Sequence, residues 1–213
     1  MRKASKLLYR FRGYILALFA VALVVCPAAP FPHVSLDALA LKGGGTTCIP
    51  YIGTLLFYVL GIALRIRARQ YIGQHTRGKT HEADELVTVG PYAYCRHPLY
   101  TSNTCIAVGA VFFHLGTSQL LFLFASALLL FEFSLARAED RFLEGKFGDT
   151  WRAWAHKTPV FPYNPAVLFP KKAPAPKRTF FQAFRADAST WFWFVFFNLI
   201  IVLIKVFREY NHV

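Results

Sequence analysis

The sequence predicts an all-α integral membrane protein of about five transmembrane helices, the third and fourth forming a helical hairpin, with a cofactor pocket on the cytosolic side. Three observations predict it. Hydrophobic residues make up 55% of the 213 positions and aromatics 17%, whereas charged residues supply only 16%. Long apolar runs alternate with short polar segments, as expected of helices sized to a hydrocarbon core that takes about 20 residues to cross. The 24 Lys and Arg residues, which set a net charge of +13, gather in alternate connections.

The first apolar run, residues 14–31 ("YILALFAVALVVCPAAPF"), follows a basic start and could be mistaken for a signal peptide. It is longer than the apolar core of such a peptide and further spans follow, so it reads as a retained helix. The second run is residues 48–64 ("CIPYIGTLLFYVLGIAL"). Residues 104–135 are too long for one span and are broken at 114–119 ("HLGTSQ"), where Gly116 and Ser118 suit a tight turn between two helices. The last run, residues 191–204 ("WFWFVFFNLIIVLI"), is the shortest and fits either a span or a tilted, interfacial helix.

Charge orients this threading. Five basic residues lie in 1–12, six in 65–96 and ten in 137–185, so 21 of the 24 share one side of a five-span chain. That asymmetry marks the cytosolic face. The basic excess thus reflects topology and attraction to anionic headgroups, and nucleic acid is not needed as a partner. The setting expected is the bacterial inner membrane, or the endoplasmic reticulum in a eukaryote, with the N-terminus and the pocket cytosolic. The organisation reads as a basic N-terminal segment, first helix and outer loop (1–47), a membrane core (48–165), a Pro/Lys-rich linker (166–190) and a C-terminal spanning or interfacial helix (191–213).

Cys26 and Cys48 fall at the outer ends of the first two spans, where a disulfide is geometrically open to them. The simpler reading is two small apolar residues at a membrane boundary. Cys95 and Cys105 have no ligand spacing, and no metal site is expected.

Two cytosolic stretches carry the polar chemistry. In "GPYAYCRHPLYTSN" (90–103), Pro98 suits the first position of a helix, because its missing amide hydrogen would be unsatisfied there anyway. His97, Arg96 and Tyr92, Tyr94 and Tyr100 are then either an interfacial belt or the lining of an anion- and ring-binding pocket at a helix N-terminus. In the second stretch, helical spacing runs from the apolar block through "ARAEDRFLEGKFG" without a breaker until Gly145 and Gly148, so this helix projects beyond the membrane. It carries Glu139 and Asp140, which are either a solvated face paired with Arg137 and Arg141 or ligands. Glu132 lies seven residues before Glu139 on nearly the same face. A carboxylate within "LLLFEFSL" implies a partner, a polar cavity or function. One donor-rich and one carboxylate-rich stretch on the same face suit a zwitterionic, cationic cofactor with an aromatic base.

"LVTVGPYAYCRHPLY" followed by "AEDRFLEGKFGDTWRAWAHKTPVFP" resembles the isoprenylcysteine carboxyl methyltransferase family and its phospholipid methyltransferase-like relatives, over roughly residues 48–162. The resemblance implies S-adenosylmethionine as cofactor, held by Asp84, Glu85, Leu86 and Val87, by Tyr92, His97, Pro98, Leu99 and Tyr100, and by Glu139. It implies a methyl acceptor that is lipidic or lipid-attached and enters from the bilayer, above all the carboxyl group of an isoprenylcysteine-like molecule, with Arg137 and Glu132 as substrate-side residues. Asp84 and Glu85 differ from the residues common in the family. Leu135 stands where the prenylcysteine enzymes carry an arginine linked to the substrate carboxylate, and Ser102 replaces a common glycine. A carboxylate acceptor is already ionised at neutral pH, so no residue is assigned as catalytic base. The alternatives are a membrane NADPH-dependent reductase of related architecture and a non-enzymatic scaffold that binds anionic lipid.

Overall fold

The computed structural model describes residues 3–28, 45–72, 85–162, 164–169 and 173–211. The order is α1 (Lys3–Val25), α2 (Gly45–Tyr71), a 3-10 turn (Gly90–Ala93), α3 (Pro98–Leu115), α4 (Gln119–Ala155), a second 3-10 turn (Pro165–Val167), α5 (Phe180–Arg185) and α6 (Ala188–Asn211). Among the described residues there is no strand.

Among the described residues three helices are long and apolar enough to cross a membrane: Ile49–Tyr71 in α2, a stretch of Gln119–Ala155 in α4, and Ala188–Arg208 in α6. The sequence reading expected about five. Neither α1 nor the 18-residue α3 is among the three. The segment expected to be shortest, at the C-terminus, instead forms a 24-residue helix. Its outer face is apolar and exposed at Phe192, Trp193, Phe196, Leu199, Leu203 and Phe207, as lipid-facing residues are. With these apolar helices the chain is an integral membrane protein.

The hairpin expected at 114–119 is present. α3 ends at Leu115, Gly116 turns at φ 64° with its amide bonded to Phe112 O (3.0 Å), and α4 starts at Gln119 and packs back along α3. α2 packs against α3 along most of its length. This contact is close because Gly61 and Gly109 leave room. A Cβ at Gly109 would come within 2.5 Å of the Tyr58 ring and one at Gly61 within 2.8 Å of Ile106. Small residues at such crossings replace the hydrophobic drive that lipid does not supply. Leu23 of α1, Val111 and Leu115 of α3 and Leu121 and Leu128 of α4 close the core near the hairpin turn. There His114 Nε2 donates to Cys26 O (3.1 Å), and Cys26 is a free thiol, while the side chain of Cys48 lies outside the described ones.

α4 continues past the apolar block as expected, to Ala155, with a kink at Gly148 (φ 53°, ψ −125°). The kink turns the last two turns of α4 toward the 3-10 turn, where Trp154 Nε1 donates to Tyr92 O (3.1 Å).

The C-terminal segment docks at the end of α2. Arg178 N donates to Gln70 O (3.1 Å), Lys177 pairs with Glu85, and Thr179 caps α5 in a capping box with Gln182. α6 is tied to α2 by Tyr58 Oη, which donates to Asn198 Oδ1 (2.6 Å).

Candidate active site

The two stretches singled out in the sequence meet. Gly90 opens the 3-10 turn at φ 63°, in the left-handed region that an L side chain resists, and a Cβ there would sit 2.7 Å from the Tyr71 ring. Its absence lets Tyr71, Ala68 and Tyr92 pack together, with Val87, Leu99 and Trp154 around them. Gly90→Ala is expected to lose about 1–3 kcal/mol from backbone strain alone, read as a lowered unfolding temperature in detergent.

The chain leaves this turn against the segment that follows α4. Arg96 N donates to Pro159 O (2.8 Å) and the Cys95 thiol to Val160 O (3.3 Å). Burial pushes the Cys95 thiol up to about 11, and the side chain has no exposed surface. The thiolate is the reactive form, so a raised pKa removes it at all pH values well below 11. Iodoacetamide at pH 8 is expected to leave Cys95 unlabelled in the folded protein and to label it after denaturation, as read by peptide mass mapping.

Pro98 occupies the first position of α3 and His97 the position before it, as the spacing predicts. The His97 side chain does not cap the helix. Its Nε2 donates to Asp140 Oδ1 (2.8 Å), and Arg96 Nη1 lies 3.0 Å from Asp140 Oδ2. Both the histidine and the aspartate are buried. Asp140 therefore belongs to neither the solvated face nor a local pair with Arg137 or Arg141. It is the brace that binds the start of α3 to α4. Arg96 also lies over the Trp151 ring (5.7 Å to the centroid). Arg96 Nε and Trp151 Nε1 are buried with no hydrogen-bond partner.

Glu139, the neighbour of Asp140, is only half buried, and its charge acts on the Tyr92 hydroxyl. That hydroxyl is buried and unpartnered, and burial raises it above its ordinary range. Arg69 and Arg65 of α2 oppose that rise, so three charged groups from two helices act on one unsatisfied oxygen. The Tyr100 ring lies tilted against that of His97 (centroids 5.5 Å apart, 46° between the planes).

The other expected residues are less concentrated. Leu86 and Val87 are half buried on the approach to the turn, whereas Glu85 is exposed and engaged by Lys177. Asp84 lies outside the described residues. Arg137 is exposed, over the Phe133 ring (5.9 Å), and does not share the interior with Glu132. Glu132 is buried to 2% exposure, bonded to Asn103, with Oε2 unpartnered. Leu135, where the related enzymes have an arginine, is sealed in the core at 2%.

Sequence reasoning missed Asn103, Arg65, Arg69, Trp151 and Asp187. Arg65 donates from Nη1 to Asn103 Oδ1 (2.6 Å), from Nη2 to Thr190 Oγ1 (3.0 Å) and from Nε to Asp187 (2.9 Å). In the sequence Arg65 and Arg69 read only as positive-inside charges. Their spacing of four, at the polar end of an apolar helix, was the available signal.

The resemblance seen in the two motifs is borne out over the membrane core: a model of the phospholipid methyltransferase family, whose members are membrane methyltransferases, matches residues 49–150. Among curated proteins, the cobalt-zinc-cadmium resistance protein CzcN of Cupriavidus metallidurans is 34% identical over 119 residues, 55% of this chain and 51% of its own. The nickel-cobalt-cadmium resistance protein NccN of Alcaligenes xylosoxydans xylosoxydans is 31% identical over 105 residues (48% and 46%). The protein-S-isoprenylcysteine O-methyltransferase of Schizosaccharomyces pombe is 36% identical over 113 residues (48% and 45%). The matches thus span about half the length of these relatives. No solved structure matches the chain significantly. Among the described residues no group of three or more His, Cys, Asp and Glu gathers as metal ligands would.

Proposed function

We propose that this protein is an S-adenosylmethionine-dependent methyltransferase that works at the cytosolic face of the membrane on a lipidic or lipid-attached acceptor. The observation that carries the reading is the buried, unpartnered Tyr92 hydroxyl within reach of the Glu139 charge, at the start of a helix braced by His97 and Asp140. The groups present fit the cofactor. A half-exposed carboxylate suits an ammonium, the amide end of α3 suits a carboxylate, and Tyr92, Tyr100 and Trp154 supply ring faces for a base or a sulfonium. Glu139, Tyr92, Tyr100 and the first turn of α3 would hold it, with Leu86 and Val87 on the approach. Bound there, it supplies a methyl group activated by the sulfonium.

The protein's own contribution is positioning. Methyl transfer demands in-line approach of the acceptor, and fixed geometry is worth more there than a base. His97 and Arg96 lock α3 to α4 through Asp140. The interior around Glu132, Asn103 and Arg65 gives the polar end of a bilayer-borne acceptor a place to lodge, while the apolar spans leave its tail in lipid. The carboxyl group of an isoprenylcysteine-like molecule is the acceptor suggested by the fission-yeast relative. Leu135 supplies no arginine to meet that carboxylate.

A nicotinamide-dependent reductase or a lipid-binding scaffold draws no support from the family match. The test is incorporation of tritium from S-[methyl-³H]-adenosylmethionine into the organic-extractable fraction of membranes that hold the protein. Label above that of Glu139→Ala membranes is expected, and equal label in the two would refute the reading.

A further inference from the structure

The match to the family ends at residue 150, yet the acid that neutralises the site's arginines comes from beyond it. Asp187, between α5 and α6, has no exposed surface, and its Oδ2 receives Arg65 Nε and Arg69 Nε, each at 2.9 Å. Its backbone is pinned from both sides: Asp187 N donates to Phe184 O (3.1 Å), and Thr190 N and Trp191 N donate to Asp187 O (2.8 and 3.1 Å). The connection between α5 and α6 is thus held in place by its own helices and brings one carboxylate to two guanidinium groups one turn apart on α2.

We propose that Asp187 is a specificity-determining residue of the cofactor site, which balances Arg65 and Arg69 beside Tyr92 so that the site accepts a sulfonium cation. The proposal rests on the functional reading above and adds a selectivity to it. Tyr92 packs with Ala68 and Tyr71 of α2, on either side of Arg69 in the chain. Arg69, Glu139 and Arg65 act on its hydroxyl, and Glu132 is joined to Arg65 through Asn103. With Asp187 in place the two arginines are partly cancelled at source. Without it, two buried cations face the position where a third must bind. S-adenosylmethionine carries that extra positive charge, and its demethylated product, S-adenosylhomocysteine, does not. Coulomb repulsion in a poorly hydrated site acts over several ångströms and separates the two ligands, whereas general loosening of the fold weakens both alike.

Calorimetric titration of both ligands into detergent-purified wild type, Asp187→Asn, Asp187→Glu and Arg69→Met tests this. Asp187→Asn is expected to raise the ratio of the S-adenosylmethionine Kd to the S-adenosylhomocysteine Kd about fivefold or more, and Asp187→Glu to restore it. Arg69→Met removes a cation and is expected to lower the ratio by about threefold, which decides the matter if Asp187→Asn does not fold. A ratio unchanged within twofold in the folded variants would overturn the proposal and leave the function standing. A wild type that binds neither ligand overturns the functional reading itself, and this proposal with it.

Discussion

Asp140→Ala is expected to be the most destabilising single substitution around the candidate site, at about 3–5 kcal/mol. The carboxylate is buried between His97 Nε2 at 2.8 Å and Arg96 Nη1 at 3.0 Å, and removing it leaves the arginine as an uncompensated buried charge. Arg96 already has Nε without a partner, so no neighbouring acceptor stands ready to take over. The loss also frees the start of α3 from α4, so cofactor binding should fall together with stability. Thermal unfolding in detergent checks this: Asp140→Ala should show a large drop and His97→Ala a smaller one, because the Arg96–Asp140 pair survives in the latter.

The adjacent residue should behave in the opposite way. Glu139 is half buried and has no structural pair among the described contacts, so Glu139→Ala should leave the unfolding temperature nearly unchanged. Its carboxylate is the ligand assigned to the cofactor ammonium. A charge-assisted hydrogen bond is worth about 1.5–3 kcal/mol, which corresponds to a loss of roughly 10- to 100-fold in S-adenosylmethionine affinity. The same substitution one position apart thus separates the brace from the ligand. Equal loss of affinity in Glu139→Ala and Glu139→Gln would show that the charge, rather than a lost contact surface, carries the binding.

The parts of this protein that were legible in the sequence are those set by local rules. Pro98 marked the first residue of α3, the break at 114–119 marked the hairpin, and the unbroken helical spacing beyond Leu135 marked a helix that continues as far as the glycines. Each depends on residues within a turn or two of one another. The span count was less legible, because length and apolarity depend on where helices end. α6 extends to both sides of the apolar run that announced it, and α3 begins in polar sequence.

The site was half legible for the same reason. Family-like motifs brought out Tyr92, His97 and Glu139. They could not show that His97 spends its Nε2 on Asp140, because which of two successive acids turns inward depends on how α3 and α4 rotate against each other. Asp187 was out of reach altogether. It sits near the end of the Pro/Lys-rich linker, far in sequence from the arginines it neutralises, and only the docking of that linker on the end of α2 brings it there. Arg65 and Arg69 looked like ordinary positive-inside residues, since composition records a charge and not its partner.

We propose that Tyr92 and Glu139 form one half of a site for S-adenosylmethionine. The most direct measurement is a calorimetric titration of S-adenosylhomocysteine into folded wild type in detergent, with NADPH titrated in parallel. Saturable binding of S-adenosylhomocysteine that is lost in Glu139→Ala, with no heat from NADPH, is the result predicted. A well-folded wild type that ignores S-adenosylhomocysteine and binds NADPH would contradict it.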